Sequence, residues 1–172
     1  MLKTKGIGLA FLFLALFVSA ASAYVYQSAV QSIDQTVKEV ATFTLQSPVL
    51  GDIFEGETKS YTKAEVSELG NAIVVSTTKD IVYVHFSSNI EALGAYYSDY
   101  SVTVKFNAVP EGSMHGVGDT AYVLILGAQE SNPVLLDVAG SYAFDFEITM
   151  AAKSVDSDQA ASLAITLTAE SS

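Results

Sequence analysis

The chain has 172 residues, 19 acidic against eight basic, a formal net charge of −11 and a hydrophobic fraction of 50%. Every basic residue is lysine. This balance excludes a binder of nucleic-acid backbone, which needs clustered positive side chains to release counterions, and it disfavours docking on anionic lipid. There is no cysteine, so stability has to come from a core, from association of copies, or from both.

In chain order, Met1 to Lys5 forms a short positive start. Ile7 to Val18 is almost free of polar atoms, and the small residues that follow end in the A-x-A arrangement Ala21-Ser22-Ala23. These are the three parts a signal peptidase reads, and the apolar run is shorter than the roughly 20 residues a membrane span needs. Residues 1–23 are therefore expected to be a signal peptide, cut between Ala23 and Tyr24. The mature chain is expected outside the cell or on its surface, with no membrane segment left. Loss of Lys3 and Lys5 moves the formal charge from −11 to −13, two positive charges fewer. An alternative stays open. Lys5-Gly6-Ile7 is similar to the processing site of archaeal type IV pilins, where cleavage after the glycine leaves an N-terminal hydrophobic helix. Val30, Ile33, Val37 and Val40 recur at helical spacing and would continue its seam. The Ser/Ala break at 19–23 suits a peptidase better than a filament core.

Residues 24–39 mix polar and apolar positions, contain no turn signal, and read as an N-terminal extension. From residue 40 to 172 the sequence is β-like, dominated by Val, Thr, Tyr and Phe. Strands are expected at 40–46, 58–62, 72–77, 81–86, 101–106, 122–126, 133–138, 141–150 and 162–168, with one helical turn at 90–97. The strongest is 141–150, where Tyr142, Phe144, Phe146, Ile148 and Met150 alternate with Ala143, Asp145, Glu147 and Thr149. Such alternation means one buried and one wet face. The segments 81–86 and 122–126 are apolar on both faces and read as strands covered on both sides. Glycine-, proline- and asparagine-bearing breaks separate them. Short, evenly spaced strands of this kind predict an all-β fold, an antiparallel jelly-roll-like β-sandwich behind the extension.

Little points to catalysis. His85 lies in a strand beside large apolar residues and reads as a satisfied strand histidine; His115 lies in the glycine-rich loop 111–119, where tip flexibility accounts for it as well as binding does. No H-E-x-x-H zinc motif or G-x-S-x-G nucleophile elbow occurs. Asp52, Glu55 and Glu57, and separately Asp156 and Asp158, offer oxygen ligands for calcium, but neither group has EF-hand spacing, and solvated acidic turns account for both. No enzyme activity, cofactor or metal is expected. What is left is surface and strand edge, with tyrosines such as Tyr96, Tyr97 and Tyr100 suited to contact surfaces.

The order of these features carries a resemblance. A signal segment precedes the polar extension Gln31 to Leu45, then the turn Gly51-Asp-Ile-Phe-Glu-Gly-Glu-Thr58, and near the end the strand Ala139-Gly-Ser-Tyr-Ala-Phe-Asp-Phe-Glu-Ile-Thr149. This arrangement resembles the TasA/camelysin-like fibre-forming proteins, in particular the archaeal bundling pilins. The resemblance implies a jelly roll lacking one strand, filled by the N-terminal extension of a neighbour: donor-strand complementation. The implied partner is a further copy of the chain, added head-to-tail into a filament with possible lateral bundling. Val25, Tyr26, Val30, Ile33 and Val37 are the candidate plugs of the donor strand. The proteolytic activity described for camelysins is not carried over, because its metal ligands have no counterpart here. A monomeric module binding carbohydrate or a surface-layer protein remains the alternative of a different class.

Overall fold

The structure, a computed structural model, describes residues 39–128 and 132–172. The signal peptide and its cut (Ala21, Ala23, Tyr24), and the candidate plugs Val25, Tyr26, Val30, Ile33 and Val37, lie outside the described residues.

The body is all-β and antiparallel. Its strands are β1 (Ala41–Leu45), β2 (Thr58–Tyr61), β3 (Ile73–Thr77), β4 (Val82–Ser88), β5 (Tyr97–Ala108), β6 (Thr120–Ile125), β7 (Val134–Leu136), β8 (Gly140–Ala152) and β9 (Ile165–Ser171). Short 3-10 turns stand at Ser67–Leu69 and Ile90–Ala95. The larger sheet runs β1-β3-β8-β5-β6, with β2 also on β8; the smaller runs β7-β4-β9.

β8 is the spine of the larger sheet. One of its edges pairs with β5 from Ala143 to Ala152. The other is shared end to end, β3 taking Gly140 to Phe144 and β2 taking Ile148 to Ala151. The expected alternation along β8 holds: Tyr142, Phe144, Phe146, Ile148 and Met150 are buried, while Asp145, Glu147 and Thr149 face outward. These side chains meet Val102, Val104 and Phe106 of β5, Ile73 and Val75 of β3, and Val82, Val84 and Phe86 of β4 in one core. Aromatic contacts lock its middle, with Phe106 tilted on Phe144 at 4.9 Å between ring centres and Phe86 stacked on Tyr122 at 4.6 Å.

Three expectations need correction. The segments at 81–86 and 122–126 are not covered on both sides. Tyr83 and His85 line a half-open outer face of β4, and Ile125 is 44% exposed on β6. A two-layer fold covers only one face of each sheet, so the extra apolar residues there are surface residues of a strand. Ile81 is outside β4 altogether, at φ 57 in the turn before it. The expected helical turn is 3-10 and ends at Ala95, after which β5 starts four residues before the expected position, at Tyr97.

One close approach fixes the start of β8. Gly140 has φ 148, and a Cβ placed there would meet Pro110 Cγ at 2.8 Å and Cβ at 2.9 Å. The ring of Pro110 therefore occupies the space a side chain would need. Gly140→Ala is expected to lower the unfolding free energy by about 1–3 kcal/mol, read as a shift in urea midpoint at unchanged slope. An unshifted midpoint would show that this packing is looser than described.

Candidate assembly interface

A sandwich with five columns of strand on one side and three on the other cannot cover its core evenly. The shortfall is visible at β9, which pairs with β4 from Ser171 opposite Val82 to Ile165 opposite Ser88. On β4 the inward residues Val82 and Val84 are wholly buried and Phe86 is 3% exposed. Directly beside them on β9, the inward row Ile165, Leu167, Ala169 and Ser171 is only half-buried, and so is Leu163 just before it. One strand spacing, about 4.8 Å, separates a sealed core from a partly open one.

Among the described residues no strand pairs with the other edge of β9. Edge strands of natural proteins are ordinarily blunted by proline, lysine, bulges or shortness. β7 follows this rule, with three residues behind Pro133. β9 does not: its seven residues, Ile-Thr-Leu-Thr-Ala-Glu-Ser, contain neither proline nor lysine, and its register with β4 is unbroken. Its only charge, Glu170, is on the outward face, where its Oε1 lies 3.1 Å from His85 Nε2. His85 is thus a strand histidine satisfied by a cross-strand partner, as expected. The backbone edge and the half-open apolar row beneath it lie together at this margin as an open slot.

The opposite margin of the larger sheet is finished differently. The coil at 46–57 is tied to β2 and β8 by polar contacts: Lys59 donates to the Asp52 carbonyl, Tyr61 to the Gly51 carbonyl, and Ser154 and the Val155 amide to Glu55. The hydrogen bond from Ser154, then that from Val155, holds the Glu55 carboxyl below its ordinary range. The Phe54 amide does the same for Glu57. These carboxylates, considered above for calcium, serve as loop clips. Leu45, Val49 and Phe54 remain exposed at 54%, 85% and 70%, so this margin also presents apolar surface.

The glycine-rich loop at 111–119 is held by a second cluster. Asp137 accepts from Ser113 Oγ at 2.6 Å and from the Met114 amide at 2.7 Å, and Tyr142 also donates to it. His115 stacks on Phe106 with ring centres 4.5 Å apart and donates from Nε2 to the Leu135 carbonyl at 2.7 Å. The histidine is a staple between loop and β7, while Met114 and Val117 stay 71% and 67% exposed. Of the tyrosines expected at the surface, Tyr100 is in the core. Burial, then Tyr97 beside it, pushes its hydroxyl up to about 12.

Sequence reasoning found β9 as a strand three residues out of phase and missed its role as an open edge. The available signal was its uncharged, proline-free alternation. No known family model matches the sequence, and no characterised protein matches it.

The Asp137 cluster gives a pH dependence. Burial opposes ionisation of this carboxylate, but the hydrogen bonds from Ser113 and Met114 outweigh it and hold the group below its ordinary range. A depressed folded pKa adds stability that is complete above the unfolded value, near 3.9 for aspartate. That stability is lost as pH falls through the folded value. Urea midpoints are expected to be flat near neutrality and to drop in acid, with Asp137→Asn lower at neutral pH and less sensitive to acid. An acid limb identical in the two proteins would contradict this.

Proposed function

We propose that the chain is a secreted structural subunit of an extracellular filament, polymerising head-to-tail by donor-strand complementation. Residues 24–38 of one copy pair with the edge of β9 in the next. The observation that carries this reading is the fall in burial from β4 to β9 at a strand edge without proline or lysine. An added strand supplies main-chain hydrogen bonds to that edge, and its alternate side chains cover the row Leu163, Ile165, Leu167 and Ala169. Of the candidate plugs, Val25, Ile33 and Val37 share one face of such a strand, and Tyr26 and Val30 the other. Filling the slot gives the smaller sheet a fourth strand and completes a jelly-roll-like sandwich. Because donor and acceptor are different surfaces of the same chain, the contact is heterologous and propagates without closing.

The charge suits such a subunit. After loss of Lys3 and Lys5 the formal charge is −13, against −11 for the whole chain, which keeps subunits soluble before assembly. The half-buried Tyr83 and Tyr96 and the exposed Met114 and Val117 tip are then available for lateral contacts within a bundle.

The test is removal of residues 24–38 from the mature protein. The remaining body is expected to stay folded and monomeric by size exclusion and circular dichroism, and to form no fibres by electron microscopy. A synthetic peptide of residues 24–38 is expected to bind it and raise its melting temperature. Fibres formed by the truncated protein would overturn the proposal. N-terminal sequencing of exported protein separates this mechanism from the pilin alternative: Tyr24 at the start supports strand donation, and Ile7 a helical filament core.

A further inference from the structure

On the outer face of the larger sheet, three side chains far apart in sequence meet. Lys63 follows β2, Asn107 is the extra residue where the β5–β8 register shifts between Phe106 and Ala108, and Asp145 stands in the middle of β8. Lys63 Nζ lies 2.7 Å from Asp145 Oδ2 and 3.2 Å from Asn107 Oδ1. The Asn107 amide nitrogen donates to Asn71 Oδ1 at 2.8 Å, and the Asn71 main-chain amide donates to Asp145 Oδ1 at 2.8 Å. Asn107 is thereby oriented, its carbonyl oxygen toward the amine and its NH2 toward Asn71. Both oxygens of Asp145 are engaged, and its side chain is 14% exposed.

The lysine is positioned along its length. A Cβ at Gly70 would meet Lys63 Cβ at 3.3 Å and Cδ at 3.5 Å, so the stem lies flat on that glycine. Asn71, next in the chain, takes the left-handed conformation at φ 50, which asparagine tolerates better than most residues. The turn between β2 and β3 thus supplies the stem support, the amide holder and the amine itself.

We propose that Lys63 and Asn107 join in an intramolecular isopeptide bond, with Asp145 carrying the protons. Asp145 Oδ2 takes a proton from the Lys63 ammonium, and the neutral amine attacks Asn107 Cγ. Asp145 then passes its proton to the departing Asn107 nitrogen while accepting one from the attacking nitrogen. The Cγ–Nδ2 bond breaks as the Cγ–Nζ bond persists. Ammonia departs with the remaining proton as ammonium, which returns Asp145 to its carboxylate form. One amide replaces another, with no oxidant and no cofactor. A fixed amine–amide encounter replaces a bimolecular one, and Asp145, in contact with the attacking nitrogen, supplies general acid–base help. The Lys63 side chain is 55% exposed, so its encounter with Asn107 is not enclosed and the reaction is slow. A single turnover made irreversible by loss of ammonia to bulk tolerates that. The bond closes a covalent loop from the β2–β3 turn to β5 in a chain that contains no cysteine.

The experiment is the intact mass of the purified full chain, incubated at neutral pH until constant, with its N-terminus assigned by fragmentation. The expected mass is lower than that of the sequence by one ammonia. A tryptic digest is expected to show no cleavage after Lys63, with the Lys63 and Asn107 peptides joined. Lys63→Arg keeps the charge without the reactive amine and is expected at full mass; Asp145→Asn is expected to retain full mass over the same period. A wild-type mass equal to that of the sequence overturns the proposal and leaves a surface ion pair. Ammonia loss that persists in Lys63→Arg overturns it as well, and bond formation at an unchanged rate in Asp145→Asn overturns the role of Asp145.

Discussion

β8 is hydrogen-bonded on both edges, and its period-2 alternation organises both sides of the larger sheet at once. Inward, five alternate residues from Tyr142 to Met150 build the core. Outward, each alternate polar residue collects a partner from a neighbouring segment: Asp145 takes Lys63 and Asn71, Glu147 takes Lys105, and Thr149 meets Ser60. A slip of one residue would exchange the two sets and bury two carboxylates. Register is therefore over-determined here. β8 also comes late in the chain, so β2 and β3 cannot pair with it until most of the sequence is present. The fold depends on non-local pairing, the kind that closes slowly.

The same economy explains where the fold is incomplete. A wide sheet facing a narrow one leaves two margins, and they are treated differently. At the β2 margin a coil is clipped down by side chain–backbone hydrogen bonds from Lys59, Tyr61 and Ser154. At the β9 margin nothing in the described residues performs that task, and the inward row of β9 stays half-buried. Clipping a coil satisfies polar groups but leaves Leu45, Val49 and Phe54 in water. Adding a strand satisfies main-chain groups and covers apolar side chains together. An edge of the second kind is the more dangerous for a protein that must remain monomeric and the more useful for one that must not.

Much of the fold was legible because the strands carry a strong local signal. Strict alternation at 141–150 identified β8 and the direction of every side chain on it. The errors share a cause, which is that coverage of a face is decided by residues distant in sequence. The apolar runs at 81–86 and 122–126 looked doubly covered, yet among the described residues their outer faces have no second layer. Tyr100 looked like surface and is core because Tyr97 and β8 pack around it. His115 looked like part of a loose tip and is a staple because Phe106 and Leu135 lie where only the folded chain can bring them. The positive φ of Ile81 has no local sequence signal at all, since a β-branched residue is among the least suited to it. The Lys63, Asn107 and Asp145 cluster was invisible for the same reason, its contacts spanning 44 and 82 positions.

In the proposed assembly, stability and strand donation are carried by separate parts of the molecule, and that separation is what would make an open edge tolerable. The core around Phe106, Tyr142 and Phe144 is built from residues of the described body. An incoming strand therefore meets an acceptor that is already folded and loses little by ordering it, which is the advantage of a preorganised partner. Long-range repulsion between acidic subunits acts before contact and is screened over roughly 8–10 Å at ordinary ionic strength. Main-chain pairing at β9 acts only at contact and is indifferent to net charge. The two forces thus operate at different distances: in the proposed assembly, repulsion would keep the domains dispersed, while strand pairing at β9 would act once an extension from a neighbouring copy meets the edge.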